Sequence, residues 1–317
     1  MTQHNRRDFL RDAAMGLALS GCSRPPKPCK QTLVSVLRSP RYGQELYGQL
    51  RRVLAEHRLN LRGKRVLLKP NLIEFDPDRP VNTHPLLVHA AFEAFRACGA
   101  DVRIAEGPGH RRNTLDLAAA AGYFETIPRF EEFFTDLNVD QVALVKLARP
   151  HSRLSQLYLP QSVLACDLLV SMPKMKTHHW AGATLSMKNL FGVVPGGVYG
   201  WPKNVLHWAG IPESIADLHN IFPRHFAIVD GIVGMEGNGP IQGDAKPAGV
   251  VVAGEDLRAV DATCCRIMVI DPGKIEYLRL ASGNLDDGAV RQIGEPVSSV
   301  RTTFTLLPEW QGIRQEG

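Results

Sequence analysis

The stretch Asp167 to Gly192, DLLVSMPKMKTHHWAGATLSMKNLFG, decides the fold and points to the site. Leu168-Leu169-Val170 has the length and flanks of a buried strand. Pro173 is expected to end its ladder pairing, and Lys174, Lys176, His178 and His179 follow at once. If that segment is extended, a period of two turns Lys174, Lys176 and His178 to one side. Small residues from Ala181 to Thr184 come next, then a helical-looking stretch carrying Lys188 and Asn189. Cations this dense among Met, Trp and Leu do not suit a solvated face. They predict the floor of a site for a small anion.

On either side of this stretch, apolar runs of strand length alternate with segments of helical period. Arg65 to Leu68, Val102 to Ala105, Val142 to Val145, His225 to Val229 and Gly249 to Gly254 read as strands, with an accessory one around Tyr158. Helices are expected over Gln44 to Leu59, from Pro85 to Gly99 with Thr83 as cap, and from Asn113 to Gly122. Others are expected over Trp208 to Ile221, Asp256 to Met268 and Lys274 to Leu280. Strands separated by helices predict an α/β fold, a mostly parallel sheet with helices on both faces. The domain runs from residue 31 to residue 317, with a further strand expected at Thr302 to Leu307.

The predicted strands near residues 69, 106, 172 and 230 all finish in polar groups. These are Lys69 and Asn71, Glu106, Lys174 and Lys176, and Asp230. Ligands of open α/β sheets bind outside the carboxyl ends of the strands, so these groups are expected to share one site. Lys69, Asn71, Lys174, Lys176 and Asn189 are the candidate substrate-binding residues, and Lys188, His178 and Glu106 the candidate catalytic ones. A lysine desolvated among other cations titrates low enough to act as a base. Asp230, Glu236 and Asn238 can offer oxygen ligands to a divalent cation such as Mg²⁺. The competing reading gives Lys69 or Lys188 a buried ion pair with Asp230 or Glu106. The glycine-rich run Gly234 to Gly243 reads as a loop and matches neither a P-loop nor a dinucleotide fingerprint. No Gly-x-Ser-x-Gly elbow is present.

The N-terminus suggests an address. Asn5-Arg6-Arg7-Asp8-Phe9-Leu10 resembles a twin-arginine export signal, and Ala13 to Leu19 is an apolar segment too short to span a bilayer. Leu19-Ser20-Gly21-Cys22 resembles a lipobox with Cys22 as the lipidated residue, and residues 23 to 28 read as an extended tether. Residues 1 to 30 are thus expected to serve the twin-arginine machinery and then to anchor a periplasmic or cell-envelope lipoprotein to the membrane. The net charge of +5 is spread along the chain with no long Lys/Arg block, so nucleic acid is not expected as a partner. Cys29, Cys98, Cys166, Cys264 and Cys265 show no C-x-x-C spacing, so no iron–sulfur cluster is expected.

Taken together, several motifs resemble the family called domain of unknown function 362. They are Lys69-Pro70-Asn71-Leu72, Thr83-His84-Pro85, Pro173-Lys174-Met175-Lys176-Thr177-His178 and Lys188-Asn189-Leu190-Phe191-Gly192. Asp230-Gly231, Gly234 to Pro240 and Ala259-Val260-Asp261-Ala262 belong to the same set. The resemblance spans residues 32 to 282. It implies this fold and this group of residues without implying a reaction. Many members carry a ferredoxin-like cysteine segment that this sequence lacks, so no electron-transfer role is carried over. Two functions are expected: an enzyme acting on a small phosphorylated or carboxylated substrate, or a non-catalytic lipoprotein binding an anionic solute or partner. A third places a redox accessory at Cys264 and Cys265.

Overall fold

Four apolar strands at the centre of the sheet carry side chains to both faces, and helices cover each face. The computed structural model describes residues 31–109, 113–281 and 290–315. The twin-arginine pattern, Cys22 and Cys29 lie outside them. The strands are β1 (Thr32–Arg38), β2 (Arg65–Pro70), β3 (Asp101–Glu106), β4 (Phe134–Asp136), β5 (Val142–Lys146) and β6 (Gln156–Pro160). They continue as β7 (Leu168–Met172), β8 (Lys174–His178), β9 (Gly182–Thr184), β10 (His225–Glu236), β11 (Asp244–Lys246), β12 (Val250–Gly254) and β13 (Val290–Gly294). The main sheet has the order β13-β1-β12-β10-β7-β2-β3-β4. Along it β10, β7, β2, β3 and β4 run parallel, and β12 is antiparallel to both neighbours. This is an α/β fold with a mostly parallel, mixed sheet. Strands β5 and β6 form a separate antiparallel pair.

Period-two alternation explains why the central strands read as unbroken apolar runs. Val66 and Leu68 of β2, Leu168 and Val170 of β7, and Phe226 and Ile228 of β10 point into one core. Helices Glu45–Glu56 and Pro85–Arg96 close that core with Leu46, Leu50, Val53, Leu87, Ala91, Phe92 and Phe95. Leu67, Leu169, Ala227 and Val229 point to the opposite core, under helices Ile211–Ile221 and Leu257–Ile267. Both faces are therefore dry, as parallel sheets require.

Several expectations change. Pro173 interrupts the strand without ending it, because Asp230 N–H donates to the Pro173 carbonyl at 2.8 Å and pairing with β10 resumes at Lys174. Strand β10 does not stop at Asp230 but runs on to Glu236 through the first residues of the expected loop. Its glycines let β8 approach closely: a Cβ on Gly231 would lie 2.9 Å from Met175 Cε, and one on Gly234 2.7 Å from the Met175 carbonyl. His84, rather than Thr83, caps the second helix, accepting from Leu86 N–H at 3.2 Å. Thr83 instead ties strands together, accepting from Asn71 N–H at 2.9 Å and donating to the Met172 carbonyl at 2.6 Å. Residues 302–307 are irregular, although Phe304 and Leu306 are buried.

Candidate functional site

Strands β2 and β3 end at a cavity of about 480 Å³. Lys69, Asn71, Glu106, His178, Lys188 and Asn189 all line it, together with Lys203 and Thr184. Lys174, Lys176, Asp230 and Glu236 do not.

Lys69 is fully buried. Its Nζ donates to Glu106 Oε2 at 2.6 Å, to Asn189 Oδ1 at 3.2 Å and to the Pro70 carbonyl at 3.2 Å. Glu106 is equally committed: Oε2 also accepts from Leu72 N–H at 3.3 Å, and Oε1 accepts from Gly107 N–H at 2.9 Å. Asn189 Nδ2 reaches the Lys69 carbonyl and Ser171 Oγ, both at 3.1 Å, which fastens β2 to β7. The ion-pair reading therefore holds for Lys69. Burial lowers the Lys69 pKa, and the Glu106 charge opposes that shift.

Lys188 differs. Its ammonium lies 3.9 Å from the centre of the Phe191 ring and makes no hydrogen bond or ion pair within the described residues. Burial, with Lys69 as a cationic neighbour, lowers its pKa to about 7. Lys203 is buried, and its Nζ donates to the carbonyls of Gly107 and Gly192. Burial brings this lysine to about 7 as well, against the attraction of Glu106. Two polar atoms in the wall, Asn71 Oδ1 and Thr184 Oγ1, are buried without a partner. Buried polar groups are normally satisfied, so these two leave hydrogen-bonding capacity free in the cavity wall among the described residues.

His178 fixes its own tautomer. Nδ1 accepts from Trp180 N–H at 2.9 Å and Ala181 N–H at 3.2 Å, so in the neutral ring the proton sits on Nε2. Burial keeps the imidazole neutral by lowering its pKa well below the usual value, with Lys188 adding to the effect. In that state Nε2–H is a hydrogen-bond donor in the residue that lines the cavity.

Two of the candidate anion-binding lysines sit elsewhere, which corrects that assignment. Lys174 Nζ donates to Asp230 Oδ2 at 2.6 Å and to Tyr42 Oη at 2.9 Å, while Tyr42 donates to Asp230 Oδ1 at 2.8 Å. Lys176 Nζ donates to the carbonyls of Val81 at 2.8 Å and Pro240 at 3.2 Å, and burial lowers its pKa well below the usual value. Both are committed to partners within the fold, and neither lines the cavity. Asp230 and Glu236 do not meet as a cation site: Glu236 pairs with Lys246 at 3.1 Å and accepts from Thr305 N–H at 2.8 Å. Among the described residues, no three His, Cys, Asp or Glu side chains gather as metal ligands. The thiols of Cys264 and Cys265 are free and buried, and burial raises their pKa values, which suits core packing.

Sequence reasoning missed Lys203 and the role of Asp261. Lys203 follows Pro202 with φ 66°, away from any strand end, so no strand-end signal marks it. Asp261, on helix Leu257–Ile267, accepts from Ser186 N–H at 2.7 Å, Met187 N–H at 3.0 Å and Ser186 Oγ. It thereby holds the turn that presents Lys188. Burial raises its pKa to about 7 against those hydrogen bonds.

Comparison with known proteins adds a lineage. The family model described as "Domain of unknown function (DUF362)" matches residues 66–266. The thylakoid-associated protein sll1697 of Synechocystis sp. is 28% identical over 250 residues, covering 77% of this chain and 72% of that protein. Among solved structures, the lactate racemase apoprotein from Thermoanaerobacterium thermosaccharolyticum matches with a TM-score of 0.41 at 14% identity, covering 77% of this chain. The chain spans 58% of that structure's length.

Proposed function

The chain belongs to the DUF362 family, and we propose that its cavity binds a small phosphorylated or carboxylated compound and carries out acid–base chemistry on it. The observation that carries this reading is the unpaired Lys188 ammonium in a wall that also holds two orphaned polar atoms. Lys188 and Lys203 supply point charges for the anion. A lysine with a pKa of about 7 is part amine at neutral pH, so in the fraction where Lys203 alone carries the charge that holds the anion, Lys188 as the amine can take a proton from the substrate. His178 Nε2–H is suited to donate to an oxygen that gains charge, as a neutral imidazole does elsewhere. No free carboxylate is needed for this sequence of steps.

The test is binding followed by exchange. Native mass spectrometry and calorimetry with a panel of small phosphates and carboxylates should find a ligand whose affinity falls at least tenfold, about 1.4 kcal/mol, in Lys188→Met. Proton NMR in heavy water should then show the ligand exchanging a C–H proton with wild type and not with the variant. Affinity unchanged in Lys188→Met would reject the reading.

One observation favours a second reading, a non-catalytic solute-binding protein. Glu106, the single carboxylate among the described residues of the cavity wall, is fully engaged by Lys69 and two backbone N–H groups. Tight binding without exchange or turnover would select it.

We also propose that the protein is exported by the twin-arginine route and anchored to the membrane through lipid on Cys22, where its ligand would be met in the periplasm or cell envelope. The name of the Synechocystis relative, thylakoid-associated, accords with a place at a membrane. Mass analysis of the mature N-terminal peptide tests this, and an unmodified chain beginning at Met1 would reject it.

A further inference from the structure

The part of the cavity not needed for the anion is aromatic. From Phe191 a chain of rings runs to His207 at 6.1 Å and on to Trp180 at 5.4 Å. It continues to His179 at 4.6 Å and ends at His178 at 5.0 Å. Neighbouring rings meet at 78°, 75°, 84° and 39°, edge to face or tilted, so none covers the next by stacking. All five rings line the same cavity, and Trp208 joins them in its wall. Trp180 is 58% exposed and Trp208 75% exposed, so nothing in the described chain buries these indoles. Single exposed apolar residues are ordinary, but two tryptophans at the mouth of one cavity are not scattered.

Two further facts limit what the rings can hold. The cavity, about 480 Å³, falls in the range of sites that enclose drug-sized molecules, roughly 300–1,000 Å³. A three-carbon acid would leave most of it empty. The lysines at its base also disfavour a cation, although aromatic cages often take one. The remaining fit is a molecule with a negative head and a flat, conjugated body.

We infer that the ligand of this site is an aromatic or otherwise conjugated planar anion, its carboxylate or phosphate held by Lys188 and Lys203 and its ring system packed against Trp180 and its neighbours. This rests on the anion reading above and narrows its substrate class. Planar rings gain from aromatic contacts beyond burial, so each well-placed ring contributes up to roughly a factor of ten.

Tryptophan fluorescence titration of the purified full chain tests it with five probes: 2-naphthoate, 2-naphthyl phosphate, the fully saturated decalin-2-carboxylate, acetate and inorganic phosphate. The expected result is that 2-naphthoate binds at least tenfold tighter than the saturated acid, which carries the same headgroup. Trp180→Ala should remove most of that preference, lowering naphthyl affinity by a much larger factor than affinity for acetate or phosphate. The tighter naphthyl probe identifies the headgroup. Equal affinity for the naphthyl and decalin acids, or a preference that survives Trp180→Ala, overturns the inference. If the small anions still bind through Lys188 in that case, the anion reading stands alone. If no probe binds, both fall. Circular dichroism of Trp180→Ala checks that the fold is kept, and its retained acetate or phosphate binding is the second check.

Discussion

Two lysines fourteen residues apart in this chain, Lys174 and Lys188, have opposite fates. Lys174, at the start of β8, is enclosed by Asp230 and by Tyr42, which itself bonds Asp230 and stacks on His84 with ring centres 3.7 Å apart. Lys188 lies over the Phe191 ring at the cavity and has no hydrogen-bond or ion-pair partner among the described residues. A completed buried charge is architecture, because nothing remains for a ligand to satisfy. An incomplete one is a strained position that the fold tolerates, and such positions mark binding sites more often than cores do.

The sharpest way to break this contrast is to remove each ammonium. Lys174→Met leaves Asp230 buried with one neutral donor and a backbone N–H, and breaking a buried pair costs about 3–5 kcal/mol. Lys188→Met leaves no orphaned carboxylate and removes a desolvated charge, so its unfolding midpoint in urea should stay level or rise. Ligand affinity should show the reverse order, with Lys188→Met the more damaging. Equal stability losses in the two variants would erase the distinction.

A smaller effect is expected where the two kinds of lysine meet. Gly192 has no side chain because a Cβ there would strike Glu106 Oε1 and Lys69 Nζ. Gly192→Ala should therefore cost about 1–3 kcal/mol, as overpacking usually does, and should weaken anion binding by displacing the pair beside Lys188. Urea unfolding and a binding titration on the same variant check both halves. A fully stable variant with normal affinity would show that the Lys69–Glu106 pair is free to move. Asp261→Asn should act more narrowly. It removes the charge that collects two N–H groups and a hydroxyl at the turn before Lys188, so affinity should fall while the cavity lysines remain.

The sequence shows the sheet well and its connections poorly. Leu67, Leu169 and Val229 read as strand residues because both faces of a parallel sheet are dry, so the apolar runs are continuous. The direction of β12 is invisible, since Val250 to Ala253 would look the same in either sense. The extension of β10 past Gly231 is masked because glycine usually signals a turn, whereas here it makes room for Met175. At the site, proximity to strand ends singles out Lys69, Glu106 and Asn71. It cannot separate a lysine with a carboxylate from one without, because that depends on which distant acid arrives. Asp230 arrives at Lys174 across 56 residues, and Glu106 at Lys69 across 37. Lys203 comes in on a turn that no periodic pattern announces.

The smallest expected effect is in pH dependence, and it isolates Lys188. In the folded chain this lysine gives up its proton at about 7, whereas in the unfolded chain it keeps it to the ordinary lysine value. Between those two values the unfolded state holds the extra proton, so stability rises with pH; below about 7 both states are protonated and the contribution is constant. One such group gives a slope of at most about 1.4 kcal/mol per pH unit. Lys203 behaves in the same way, so Lys188→Met should lower the slope between pH 7.5 and 9.5 without abolishing it. A bound anion favours the ammonium, so ligand affinity should fall over the same interval in which the empty protein gains stability. Urea midpoints at pH 6.5, 8 and 9.5, with and without ligand, measure both trends. Identical slopes in wild type and Lys188→Met would mean that Lys188 keeps its proton over that interval, and the contrast between the two lysines would then be one of contacts without consequence for charge.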